Sequence, residues 1–427
     1  MHSKIISLII TLSILVTFTS CHDSKEITDF TYILLIGIDE GDTDEWKITF
    51  VMPLLGGSGG SEGGDMSNDP ADVAPSMDSL TIEAPSFFAG LQLANSILPR
   101  EINLMHTQAI VFSEALARSG KVGEFIAPII RYKQLRHNVN IAVSRASARE
   151  LVENFKPYTG SNISRTVDGI VKSSRNVGYY ISTTLHDFYD CMKSTYHQPI
   201  LLYTAVNKGK NLKKNKENLD TSHSIAGNYI AGDIPREGGS KLEFMGLAVF
   251  EGDTMVGTIT GHETILWSMS RGVLERSIFT IKDPKAPDLA VPILTRLASS
   301  PSIKVNFEET KPIIQIELEL EGDIFAIQSR FNYEDPKLKP ILEDALEEFI
   351  LSEFEKVIDK SLNWNCDFFK FGHTAVKKFA TIDQWEEYDW NKSYKNAEIT
   401  ASVDVEIVRT GKMLYSSPII KSGGENN

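Results

Sequence analysis

Two stretches toward the C-terminal end alternate apolar and polar residues without a break. Ile314, Ile316, Leu318 and Leu320 alternate with Gln315, Glu317, Glu319 and Glu321, and Ile399, Ala401, Val403, Val405 and Ile407 alternate with Glu398, Thr400, Ser402, Asp404 and Glu406. A period of two marks a strand with one buried and one wet face. Between them, Leu338, Ile341, Leu342, Ala345, Leu346, Phe349, Phe354, Val357 and Ile358 recur at helical spacing. The other face of that helix carries Glu343, Glu347, Glu348 and Glu355, where carboxylates are ordinarily solvated charge. An antiparallel sheet covered on one face by the helix is the simplest α+β arrangement for this half.

Upstream, Leu242–Phe250 and Met255–Gly257 flank the polar turn Glu251-Gly252-Asp253 and predict a hairpin. Near the start, Thr31–Ile38 and Trp46–Val51 predict another. Gly56 to Asp78 follows, with six glycines and almost nothing to bury, and reads as a flexible loop. No Gly-Lys-Ser/Thr follows Gly56-Gly57-Ser58-Gly59-Gly60, so it is not a phosphate cradle. Phe88, Leu91, Ala94, Ile97 and Leu98 predict a helix ending at Pro99-Arg100, and Ala109–Phe112 a strand after it. Ser113–Arg118, capped by Ser113 and closed by Gly120, predicts a short helix, with further helices at Gly123–Tyr132 and Ala146–Phe155 and a strand at Val139–Val143 between them. The expected fold is α+β and multidomain, with antiparallel sheets each covered by helices, and without the regular alternation of a doubly wound nucleotide-binding domain.

With 42% hydrophobic and 23% charged residues the chain is composed like a globular protein, and its net charge of -14 disfavours nucleic acid and gives no direct pull toward anionic lipid. Five lysines between Lys208 and Lys216 read as a solvated loop or interdomain connection, with a basic membrane patch as the sharper alternative. Cys191 and Cys366 lack any metal-binding spacing; a disulfide between them stays open, free buried thiols being the commoner state.

The first 20 residues have the order of a signal peptide: His2 and Lys4, an apolar run of 12 residues from Ile5 to Val16, then Phe18-Thr19-Ser20 before Cys21. The run is short of the roughly 20 residues a spanning helix needs. Cys21 is the expected site of lipid attachment, with Phe18 standing where Leu is usual. At roughly 0.8 kcal/mol per buried methylene, one acyl chain binds marginally, so two or three are needed for a stable anchor.

The usual traces of catalysis are absent: no G-x-S-x-G elbow, H-E-x-x-H pair, P-loop or dinucleotide fingerprint. His106, His137, His186, His197 and His223 are scattered and read by default as solvated or core residues, so no catalytic, cofactor-binding or metal-ligating residue is assigned and no cofactor is expected. Trp385 and Trp390 read as core before interface.

Several strings resemble the Ger(x)C spore germination lipoproteins, the C subunits of nutrient germinant receptors. They are Cys21-His22-Asp23 with Ile36-Gly37-Ile38-Asp39, Leu98-Pro99-Arg100 with His106–Glu114, and Gly246–Asp253 with Val256-Gly257. The most specific is Cys366-Asp367-Phe368-Phe369-Lys370-Phe371-Gly372, followed by Trp385, Trp390 and Val408-Arg409-Thr410-Gly411. Departures are Phe18, His22 in place of Trp, and Lys370 where Gly is usual. The resemblance implies a non-enzymatic subunit, lipid-anchored at the outer face of the spore inner membrane and partnered with multi-span membrane subunits of the same receptor. It also implies two or three mixed α/β domains in an extended arrangement. The expected division is a signal peptide over 1–20, an N-terminal domain over 21–198, a middle domain over 199–304 and a C-terminal domain over 305–415. Direct nutrient binding by this subunit is not expected. The rival readings are a solute-binding lipoprotein of a transporter and a cell-wall hydrolase.

Overall fold

The computed structural model describes residues 3–6, 26–53, 77–156, 163–208, 225, 227–411, 413 and 416–417. Residues 56–76 of the glycine-rich stretch, most of the lysine-rich one, His223 and Cys21 lie outside them, while Met77 and Asp78 already belong to a strand. The N-terminal half is one nine-stranded sheet, which includes the two-residue β8 (Thr183–Thr184). Its centre is built from β2 (Leu35–Glu40), β6 (Ala109–Ser113), β7 (Asn140–Ser144) and β9 (Ile200–Val206), whose successive pairs are all parallel. The chain moves from each of these strands to the next through helices: α2 (Glu114–Arg118) and α3 (Val122–Ile129) after β6, then α4 (Ala148–Glu153) and α5 (Ile163–Val177) after β7. A helical crossover returns the chain to the same end of the sheet, so the next strand runs parallel. Antiparallel ladders flank this centre: β3 (Trp46–Pro53) and β4 (Met77–Ala84) on one side, β10 (Leu242–Glu251) and β11 (Thr254–Ile259) on the other. The antiparallel sheets expected are present here as the flanking ladders, around a centre that is parallel.

Strands in a parallel centre are covered on both faces, and the burial follows. Ile36, Ile38, Ile110, Phe112, Ile141 and Val143 point into one core, and Leu35 and Val111 into the opposite one beneath α4 and α5. The first core is also filled by α1 (Phe87–Ile97), whose Phe87, Leu91 and Ala94 are buried. Beyond the sheet, β1 (Phe30–Tyr32) pairs in parallel with β5 (Glu101–Asn103).

In the C-terminal half, β12 (Arg276–Lys282) pairs with β13 (Ala290–Leu297), and β13 with the long β15 (Lys311–Ile324). Next along the same edge of β15 lies β14 (Ser302–Glu308), displaced in register: Leu297 faces Leu320 and Ser302 faces Glu317. The other edge takes β16 (Glu398–Arg409) in parallel. The expected antiparallel arrangement fails for this pair because α7 (Gly261–Ser270) precedes the sheet but α8 (Lys339–Asn363) lies between β15 and β16. At 25 residues, about 37 Å, α8 carries the chain back along the sheet before β16 begins. Leu342, Leu346, Ile350, Phe354, Val357 and Ile358 bury against it, as the periodicity predicts. The expected middle unit over 199–304 has no sheet of its own: β9, β10 and β11 complete the N-terminal sheet, while β12, β13 and half of β14 open the C-terminal one.

Glu343 and Glu347 are not merely wet charge. β16 is an edge strand, and its outward N–H groups at Val405 and Ile407 donate to Glu347 Oε1 at 2.9 Å and Glu343 Oε1 at 2.7 Å. Lys339 Nζ, one turn earlier, donates to the Ile407 carbonyl at 2.9 Å. Residues four apart form one row on a helix, so α8 holds a line of side chains along the edge of the strand it delivers. Charge-assisted bonds of this kind contribute about 1–3 kcal/mol each, and an edge without them is a template for association. Glu343→Ala together with Glu347→Ala is expected to lower the thermal midpoint and to produce concentration-dependent light scattering; a monomer of unchanged midpoint would remove the role.

Candidate functional site at the junction of the two halves

After α8 the chain turns at Asn365, which has φ of 49°, and enters Cys366–Gly372. This segment is wedged against the β10–β11 hairpin and α7. Cys366 Sγ donates to the Phe250 carbonyl at 3.1 Å, Gln198 N–H to the Asp367 carbonyl at 3.0 Å, and Trp267 Nε1 to the Phe368 carbonyl at 3.0 Å. The Trp364 ring sits where a Cβ on Gly257 would be, and the Tyr196 carbonyl where one on Gly372 would be, so neither position tolerates a side chain. The strings that carried the resemblance in the second half thus meet in space.

Asp367 is the electrostatic centre of the junction and is 1% exposed. Its Oδ1 accepts from Phe371 N–H at 3.0 Å, and its Oδ2 from Gly372 N–H at 2.8 Å and Trp390 Nε1 at 3.0 Å. Burial pushes its carboxyl up to about 6, with those three donors and the nearby Arg271 guanidinium pulling the other way. Trp390 in turn stacks on Trp385, and Trp385 Nε1 donates to Thr195 Oγ1 at 3.0 Å. Both indoles are buried, as expected.

Beside it lies a small titratable group. Helix α6 (Leu185–Met192) supplies Cys191, whose Sγ shares a hydrogen bond of 3.0 Å with His197 Nε2, while His197 Nδ1 meets Ser194 Oγ at 2.9 Å. The His373 ring stacks on His197 with centroids 4.8 Å apart. Burial pushes the Cys191 thiol up to about 11 and the His197 imidazole down to about 3. Both are therefore neutral near pH 7, and no thiolate–imidazolium pair is present to act as a nucleophile. Cys191 and Cys366 are both free and buried, which settles the question left open by their spacing.

Of the other histidines, His137 and His186 stack on each other at 6.2 Å, and His106 packs against Tyr32. Among the described residues no group of three potential ligands is placed to hold a metal. Sequence reasoning missed Asp39, which caps α4: Oδ1 accepts from Ala148 N–H at 2.8 Å and Oδ2 from Arg149 N–H at 2.9 Å. It missed Asp367 as well. A single Asp inside an aromatic run, with a glycine five residues on, was the signal available for the latter.

A multidomain α+β protein whose halves are joined through a buried aspartate and an aromatic cluster is the class this structure defines. Residues 23–206 match the family described as "Spore germination protein N-terminal domain", and residues 245–411 the one described as "Spore germination B3/ GerAC like, C-terminal". The chain is 22% identical to spore germination protein KC of Bacillus subtilis (strain 168), over 97% of each chain. A solved structure titled "Crystal Structure of the GerBC protein" aligns with a TM-score of 0.48 at 16% identity, covering 88% of this chain and 97% of that one. The chain belongs to the GerAC-like family of spore germination proteins, the C subunits of germinant receptors.

Lys370, the departure from the family's usual Gly, has φ of 63°. The left-handed region costs a residue with a Cβ about 1–2 kcal/mol, which Gly avoids at a smaller entropic cost. Lys370→Gly is expected to stabilise by roughly 0.5–1 kcal/mol in urea unfolding, and a neutral or destabilising result would contradict the strain. Asp367→Asn is expected to destabilise by about 2–4 kcal/mol, because either orientation of the amide turns an N–H₂ toward a backbone or indole donor. The same unfolding measurement checks it, and a loss under about 1 kcal/mol would remove Asp367 from the centre of the junction.

Proposed function

We propose that this chain is the lipid-anchored, non-enzymatic subunit of a nutrient germinant receptor, held through Cys21 at the outer face of the spore inner membrane. There it docks on the multi-span subunits of the same receptor, supporting their assembly and signalling. The observation that carries the reading is the match to both germination families across the two halves of the chain. The anchor is supported by the apolar run before Cys21, too short to span, and by the start of the folded body within a few residues of that cysteine. No helix among the described residues is long and apolar enough to cross a membrane. A lipid-tethered body is confined near its partners, which raises its effective concentration without any new contact.

Cys21→Ala is expected to release the body from the spore membrane fraction and to abolish the response to nutrients. Spores of this variant that germinate normally while the protein is recovered in soluble form would defeat the anchoring role.

A further inference from the structure

Helix α1 exposes a half-cylinder on which no residue is charged. Phe87, Leu91 and Ala94 are buried in the N-terminal core, and Phe88, Gln92, Leu93, Asn95, Ser96 and Ile97 face outward. In a chain with 23% charged residues, an outward helix face of this kind is unusual. It does not stand alone. Among the described residues between Glu26 and Val206, six large apolar side chains are exposed, namely Ile27, Phe88, Leu93, Ile97, Met105 and Val177, and three of them, Phe88, Leu93 and Ile97, lie on α1.

The neighbourhood is fixed by specific contacts. Asn95 Oδ1 accepts from Ile102 N–H at 2.8 Å, which ties the end of α1 to β5. Phe30 faces Glu101 in the parallel β1–β5 pair, and the Ile27–Asp29 turn immediately precedes β1. At the other end of α1, Phe88 packs edge-on against Tyr132 with centroids 5.2 Å apart. Tyr132 sits in a loop of distinct charge. From Phe125 to Arg149 there is no Asp or Glu, and Arg131, Lys133 and Arg136 are all exposed. No salt bridge to these three is found among the described residues. Glu26 and Asp29 are engaged with each other's backbone around the turn before β1, and Glu101 lies near Tyr132.

We propose that this outward face of α1, with Arg131 and Lys133 flanking Tyr132 at its Phe88 end, rests on the phospholipid bilayer. The inference rests on the lipid attachment at Cys21 proposed above. Cys21 and Glu26 are five residues apart and at most about 17 Å of extended chain, so an acylated Cys21 holds the β1–β5 end of α1 close to the membrane surface. An uncharged helix face carrying Phe, Leu and Ile, with basic residues beside it, has the composition of a helix lying in the headgroup boundary, where the basic side chains meet anionic lipid. The tether thus fixes position, and the α1 face fixes which side of the body turns toward the lipid.

The test uses the full lipidated chain in vesicles of phosphatidylglycerol and phosphatidylethanolamine, with an environment-sensitive fluorophore on Ile97→Cys or, as a control, on the exposed Glu406→Cys of β16. Cys191 and Cys366 are buried and do not compete, and the thiol of an acylated Cys21 is blocked. Position 97 is expected to shift to shorter emission wavelength and to be quenched by nitroxide-bearing lipid, while position 406 is not. Arg131→Glu with Lys133→Glu should abolish that difference. A probe at 97 that behaves like the one at 406 in lipid alone overturns the proposal, as does quenching or shielding at 97 that arises only when the multi-span subunits are reconstituted with it, which would make the face a protein-docking surface. The mass of Cys21 reads the anchor separately. An unacylated Cys21 with position 97 still quenched by added vesicles defeats the anchor and upholds the surface.

Discussion

The hairpin β10–β11 belongs to two cores at once, and the remaining architecture depends on that. Ala248, Phe250 and Met255 fill the core beneath the nine-stranded sheet, whereas Leu247, Val249 and Ile259 fill the core shared with α7, β12 to β16 and α8. Because side chains alternate across a strand, two faces of one hairpin can bury in two different cores only if both bodies close on it. A single-residue slip would exchange the two sets and empty both cores of their proper side chains. Gly246, with φ of 81°, breaks the β10 register between Phe244 and Leu247 and sets which residues face which core.

The segment after α8 completes that union. Cys366, Asp367 and Phe368 each bond to a group on the N-terminal side or on α7, and Asp367 turns its carboxylate back to gather Phe371, Gly372 and Trp390. A buried carboxylate is stable there because each of its oxygens is met by donors. The neighbouring Cys191–His197 pair is satisfied differently, as two neutral partners. The junction is thus a folded interface with matched polar groups, and its chemistry is that of holding two bodies together.

Much of this was legible from period and spacing. The alternation in β15 and β16, the apolar row of α8, the turn at Glu251–Asp253 and the Ser113 cap all appear where the residues place them. Direction was not legible. Nothing in the alternation of Ile399–Ile407 says whether the strand runs with or against its neighbour; that follows from the length of α8, a property of the connection. Nor were the polar roles. Glu343 and Glu347 carry the same helical spacing as any solvated pair, and only the arrival of β16 beside them turns two carboxylates into an edge. Asp39 ends an apolar run beside Glu40, Asp367 is a single acid inside one, and what they bond is far away in the chain or folded back by a turn. The family strings marked the junction more reliably than any local pattern did, because residues constrained by close approach, such as Gly257 and Gly372, are constrained by partners that periodicity does not reveal.

The distribution of indoles adds an optical property to the junction. Trp267, Trp364, Trp385 and Trp390 stand within it or against the segments that form it, and Trp46 alone among the five tryptophans lies in the other core. Light absorbed near 300 nm therefore samples mainly the contact between the halves and only weakly the sheet that carries most of the chain. The intrinsic emission of this protein, in isolation or within a receptor, is a built-in gauge of whether its two bodies remain joined.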